Sequence, residues 1–205
     1  MPPNHREQDD IRRRILDTTL TLGTEHGAEG ITMRGIASRL GISTTALYQH
    51  FDSKGAILRE IRRVGLSKLA DRLRDAAVGA EDPAARIHAM ARAYVTFARE
   101  QPWLYTVLGD EDAPEWKDLL EEEARAFLEP LEVVRGTLRE GVRAGVFRKD
   151  LDPTQAAYEM WAVVHGVASL LRTGRISEKH PTVPVSDTNQ FVDTYLRHAL
   201  QGIIG

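Results

Sequence analysis

The 205-residue chain contains no cysteine, which excludes disulfides, thiolate metal sites and cysteine nucleophiles. No apolar run approaches the roughly eighteen residues of a membrane-spanning helix, so no membrane partner is expected. The opening stretch MPPNHREQDD lacks the apolar core of a secretory signal, and a cytoplasmic protein is expected. Apolar and polar residues never alternate over the length of a strand, and neither a repeat nor a low-complexity tract is present. There is no nucleophile elbow and no glycine loop suited to a phosphate. His88, His165, His180 and His198 lack metal-ligand spacing with one another or with carboxylates. Neither an enzyme nor a cofactor nor a metal site is expected. Adjacent residues of a helix point in different directions, so Glu121, Glu122 and Glu123 form a solvated face. Asp110, Glu111 and Asp112 lack the spacing of a calcium loop.

Acidic residues are also missing from one place where their absence matters. Between Gly30 and Phe51 the chain carries two arginines and no carboxylate, although the net charge is −3. From Met1 to Gly55 seven Lys/Arg balance seven Asp/Glu, so the net negative charge falls on the remainder. A modest basic patch on an acidic body suits orientation on DNA.

That stretch reads ITMRGIASRLGISTTALYQHFDSK, Ile31 to Lys54. Thr32 is an N-cap type, and Ile36 and Leu40 share the buried face of a first helix. Gly41 suits the left-handed conformation that ends a helix. Ser43 is again an N-cap type, and Leu47 and Phe51 share the buried face of a second helix, Thr44 to Phe51. Ala37 is small where the two helices must approach. Thr44, Thr45, Tyr48, Gln49 and His50 remain as an outer face of hydrogen-bonding side chains. Two helices joined by a tight glycine turn, the second polar and free of acid, form a helix-turn-helix that fits a major groove. With Thr32, Arg34 and Ser43 from the first helix and the turn, and Lys54 beyond, these residues are the candidate DNA contacts. At Lys54 an ammonium and a helix N-terminus can grip one phosphate together.

Residues Met1 to about Gln8 read as a disordered arm. A helix capped by Asp9 or Asp10 runs to about His26, with Ile11, Ile15, Leu16, Leu20 and Leu22 as its apolar stripe. Arg12, Arg13 and Arg14 have two readings, a phosphate-binding cluster or a solvated first turn. Asp52 and Ser53 cap a long fourth helix, Lys54 to about Val78. A fifth runs from Pro83 to about Gln101, and the short apolar segment WLYTVL follows Pro102. Gly109 to Pro114 is an acidic loop. A pattern from Glu115 to about Ala144 must kink or split at Pro130. Asp152 and Pro153 open an eighth helix to about Arg172. That helix is nearly free of charge from Met160 to Leu171, so several of its sides must be covered. Gly174 to Pro184 is a loop, and Ser186 or Asp187 caps a last helix to about Gly202. The expected fold is all-α, with nine to ten helices. A head, residues 1–55, has a core thin enough to lean on the fourth helix, and the body is residues 56–205.

The motif from Thr32 to Lys54, preceded by one amphipathic helix, resembles the tetracycline-repressor (TetR) family of bacterial transcription regulators. Gly35 departs from it, standing where the family often has a longer polar residue. Trp161, His165 and Gly166 resemble the W…HG signature of one subgroup's C-terminal domain, which extends the resemblance over essentially the whole chain. Gly166 inside a helix implies a close backbone neighbour, since glycine there otherwise costs stability. The resemblance implies a homodimer held by the last two helices, an inverted-repeat operator on double-stranded DNA, and a small-molecule effector. A partly hollow body would place Met90, Tyr94, Phe97, Trp103, Tyr105, Phe127, Trp161 and His165 around a partly hydrophobic effector. Each of these also fits a plain aromatic core, and His165 also fits a hydrogen-bonded core histidine. The alternative functions are a helical small-molecule sensor that no longer reads DNA, for which the neutral head speaks, and an all-helical enzyme using the body.

Overall fold

Side-chain caps set where most helices begin. In the computed structural model, which describes residues 5–109, 119–182 and 184–202, Asp82, Asp152 and Asp187 each accept two backbone N–H bonds in the first turn of a helix. Each bond satisfies a donor that has no partner inside its helix. Ser53 caps through its hydroxyl, which accepts from Ala56 N. The nine α-helices among the described residues are α1 (His5–His26), α2 (Met33–Leu40), α3 (Thr44–Tyr48), α4 (Lys54–Ala77), α5 (Pro83–Glu100), α6 (Pro102–Leu108), α7 (Glu121–Arg143), α8 (Pro153–Arg172) and α9 (Thr188–Gln201). No strand occurs among these residues, so the all-α expectation holds.

Three features differ from the sequence reading. Residues 5–8, expected in a loose arm, belong to α1, whose stripe buries Ile15, Thr19 and Leu22 further along. The rest of that arm, residues 1–4, lies outside the described residues, as do the expected acidic loop and helix start at 110–118. The second helix of the motif ends at Tyr48 rather than Phe51. Its last turn tightens, because Gln49 N and His50 N donate to Ala46 O and Leu47 O, three residues back. Proline 130 does not split α7. It is buried on the same face as Ala126, Thr137, Leu138 and Gly141, and that burial offsets the one hydrogen bond that proline removes.

The chain divides into two compact units, Met1–Gly65 with Trp103–Lys117 and Leu66–Pro102 with Asp118–Gly205. The boundary between Gly65 and Leu66 falls inside the uninterrupted helix α4. The first unit therefore holds more than the motif and α1. A Cβ on Gly23 of α1 would lie 2.1 Å from the Trp103 ring, and one on Gly65 would lie 2.8 Å from Leu104 and 2.9 Å from Leu108. Helix α6 thus packs on bare backbone of α1 and α4, which enlarges a core that about 55 residues could barely supply.

In the second unit α5 is central and packs on α7, α8 and α9. Its buried face comprises Ile87, Met90, Ala91, Tyr94, Val95, Phe97 and Ala98. Ion pairs fasten its rim: Arg86 to Glu140 of α7 at 2.8 Å and Arg92 to Asp193 of α9 at 2.9 Å.

Candidate functional site

The geometry of the helix-turn-helix follows from its caps. Thr32 Oγ1 accepts from Gly35 N at 2.9 Å and starts α2. Gly41 sits at φ 70°, in the left-handed region, and its N–H closes the end of α2. Ser43 Oγ then accepts from Ala46 N at 3.0 Å and starts α3. Ile36, Ala37, Leu47 and Phe51 are buried beneath the two helices. On the outside Thr45, Tyr48 and Gln49 are exposed, Thr44 and His50 are partly so, and Arg34 is exposed on α2. Of the predicted contacts, Thr32 and Ser43 use their hydroxyl oxygens as caps.

Several cations nearby are used internally. Lys54 Nζ donates to the carbonyl of Ala28 at 2.8 Å, tying the start of α4 to the turn before α2. Arg39 forms a two-pronged pair with Glu25 of α1, at 2.9 and 3.1 Å. Arg13 pairs with Asp10. Arg12 fits neither reading of its cluster: its guanidinium donates to His50 O at 2.6 Å and lies 4.2 Å above the Phe51 ring. A contact between residues 38 apart left no local signal in the sequence.

The eight candidate effector residues separate. Trp103 and Tyr105 lie on α6 in the first unit, Trp103 against Gly23. Met90 and Phe97 are buried on α5. The remaining four meet in the second unit. Tyr94 Oη lies 3.3 Å from Trp161 Nε1 and 3.3 Å from His165 Nδ1. The Phe127 ring meets Trp161 edge-on at 5.9 Å between centroids, and Trp161 and His165 stand 6.2 Å apart. An indole N–H only donates, so Tyr94 oxygen accepts from Trp161, and the direction of its bond with His165 Nδ1 follows the histidine tautomer. Burial pushes the His165 imidazole below the ordinary histidine value, and the Arg172 charge further along α8 adds to this. A neutral imidazole that accepts at Nδ1 carries its proton on Nε2. Trp161 remains 38% exposed, so this polar cluster reaches the surface of the unit.

A second feature was not foreseen in detail. Helix α8 is not covered on several sides within one chain. Tyr158 and Leu170 are 42% and 40% exposed, and Ala162 and Gly166 between them are exposed too. These four residues fall at i, i+4 spacing on one row. On α9, Phe191 and Tyr195 stack with centroids 6.0 Å apart, and Tyr195 is 39% exposed. Val167, on another side of α8, is only 3% exposed and belongs to the core.

A capped tri-helical head with a polar, acid-free second helix of the motif, joined through α4 to an all-helical unit, defines a helix-turn-helix transcription regulator. Comparison with known proteins identifies which kind. Residues 15–61 match the family described as "Bacterial regulatory proteins, tetR family", and residues 87–198 match "Tetracyclin repressor-like, C-terminal domain". The chain is 32% identical over 146 residues to the transcriptional repressor KstR2 of Rhodococcus jostii, spanning 69% of this chain and 70% of that protein. A solved protein of unknown function from Rhodococcus sp. RHA1 shares the fold at TM-score 0.81 and 24% identity, covering 95% of this chain and 96% of that one. The ketosteroid regulator KstR2 of Mycobacterium tuberculosis shares it at TM-score 0.65 and 22% identity, covering 95% of each chain. The chain belongs to the TetR family and is a ligand-responsive transcriptional repressor of the helix-turn-helix type. No helix among the described residues is long and apolar enough to cross a membrane.

Proposed function

We propose that this repressor acts as a homodimer on an inverted-repeat operator, and that a small, partly hydrophobic effector releases it. The observation that carries the DNA half of this reading is the acid-free outer face of α3 and its closing turn, with Thr45, Tyr48 and Gln49 exposed and Thr44 partly so on a helix that Ser43 caps. Thr44 and Thr45 stand where the start of the helix would enter the groove, and their hydroxyls can donate or accept at base edges. Arg34 and Lys54 serve the backbone phosphates, Lys54 by leaving its bond to Ala28 O. One short helix reads few base pairs, so two heads are required, with half-sites about 34–36 Å apart.

The effector half rests on the cluster of Tyr94, Phe127, Trp161 and His165. Aromatic surface with two or three polar tips suits an apolar molecule oriented by one hydrogen-bonding group. Effector binding in the second unit acts through α4, which belongs to both units, and works only through unequal affinity for the two states. Selection of bound duplexes from a genomic fragment pool, with protection mapping upstream of the chain's own gene, tests the whole reading. An inverted repeat should be recovered. Equal retention of all fragments, vanishing together as salt rises, would mark a sensor that does not read sequence.

A further inference from the structure

We propose that Arg12 is a positioning residue for DNA reading: without touching the duplex, it fixes the far end of the recognition helix. The inference rests on α3 being that helix. Helix α3 has five residues, and the chain leaves it through a tight turn in which Gln49 N and His50 N bond back to Ala46 O and Leu47 O. The backbone carbonyl that follows this turn, His50 O, is an acceptor that a cation can hold. Arg12 reaches across from α1 and donates Nη1 to His50 O at 2.6 Å, a charge-assisted bond at the end of the turn. The same guanidinium covers Phe51, with 4.2 Å to its ring centroid, and Phe51 is 4% exposed. Phe51 is the residue at which the chain leaves the recognition turn for α4.

Arg12 is also within electrostatic reach of α4. The Glu60 carboxylate is held below its usual range, first by the two hydrogen bonds from Arg63 at 2.8 and 2.9 Å, against burial, then by the charges of Arg63 and Arg12. One guanidinium of α1 thus bonds the turn after α3 and stacks on the corner residue, within electrostatic range of a carboxylate of α4. Tyr48, Gln49 and His50 lie at the end it holds. Thr44 and Thr45 lie at the other end, which Ser43 fixes independently. Arg12 is partly buried and holds two partners of the turn at once, whereas Arg34 is exposed.

The experiment measures binding of the full-length chain to duplexes by fluorescence anisotropy. The reference duplex is the sequence that the wild-type chain enriches from a random pool, and each base pair is replaced in turn. Gln49→Ala and Thr45→Ala mark which base pairs are read from each end of α3. Arg12→Ala should flatten the preference at the base pairs marked by Gln49→Ala by about tenfold. It should keep the preferences marked by Thr45→Ala and leave the salt slope unchanged. Arg12→Lys keeps a donor for His50 O but loses the flat stack on Phe51. It should lie between wild type and Arg12→Ala, and it carries the test alone if Arg12→Ala does not fold. A salt slope smaller by about 1 would make Arg12 a phosphate contact instead. Equal loss at every base pair would reduce it to a general stabiliser of the head. Either result overturns the proposal. A wild-type chain that enriches no sequence overturns the recognition-helix reading itself, and the proposal falls with it.

Discussion

Thr45 and Lys54 differ in what they can offer DNA, and single substitutions separate the two contributions. Thr45 is exposed on α3 with a short hydroxyl side chain and no carboxylate on that helix. Thr45→Ala is expected to cost about 1–3 kcal/mol at its preferred base pair and little at non-specific sites. Lys54 is a point charge at the start of α4, bonded to Ala28 O while the protein is free. Lys54→Ala should weaken all duplexes alike and lower the salt slope by about 1; anisotropy titrations between low and moderate salt measure both. A third residue reports on pH. The fold holds His165 below the ordinary histidine value, chiefly by burial, so the folded state favours the neutral ring. That preference contributes stability above the unfolded value of about 6.5 and is lost as pH falls through the lower folded value. The melting temperature should therefore decline on acidification from pH 7 through this window, and His165→Phe should remove that part of the decline. An NMR titration of the His165 ring that gives an ordinary or raised value would contradict the assignment.

At the scale of elements, the packing of α6 depends on two glycines. Trp103 fits only because Gly23 lacks a Cβ, which would approach its ring to 2.1 Å. Gly23→Ala must displace a large aromatic side chain, so a loss of about 1–3 kcal/mol is expected, from overpacking. A shift in tryptophan emission should accompany it, and denaturant unfolding gives the magnitude. Unchanged stability and emission would mean that α6 does not seat on α1. The sequence disclosed the elements for a local reason. Caps at Thr32, Ser43, Asp152 and Asp187, and the left-handed Gly41, act on their own first or last turns, so each was readable from a few neighbouring letters. Partners distant in sequence were not. Nothing near Gly23 announces Trp103, and nothing near Arg12 announces His50. The recognition motif was legible because its residues serve one short structure. The aromatic cluster of the second unit was legible only as a list of aromatics, because its membership depends on how α5, α7 and α8 cross: Tyr94, Phe127, Trp161 and His165 converge, whereas Trp103 and Tyr105 join the first unit.

At the scale of the whole molecule the question is what covers the row Tyr158, Ala162, Gly166 and Leu170. Two large apolar residues flank two small ones, and all four are open to solvent in a single chain. A Cβ added at Gly166 would meet nothing within 4 Å. Inside one chain the glycine therefore serves no packing purpose, yet glycine within a helix costs about 1 kcal/mol relative to alanine. A second copy of α8 crossing at this point would account for it, because small residues let two backbones approach. The stacked Phe191 and Tyr195 on α9, which packs beside α8, would widen the contact into a four-helix arrangement related by a two-fold axis. The two possibilities give opposite signs for one substitution. If the row faces water, Gly166→Ala removes the helix penalty and should raise stability by about 0.4–1 kcal/mol, independent of protein concentration. If it faces its twin, Gly166→Ala should weaken the dimer, and Gly166→Arg should split it while leaving the fold of each chain intact. We expect the second outcome. Sedimentation should find Gly166→Arg monomeric at micromolar concentration with unchanged helical circular dichroism, and the operator should lose specific binding in the same variant, because separate heads no longer bind both half-sites together. A Gly166→Arg chain that sediments as a dimer and still binds the inverted repeat would place the interface on another surface.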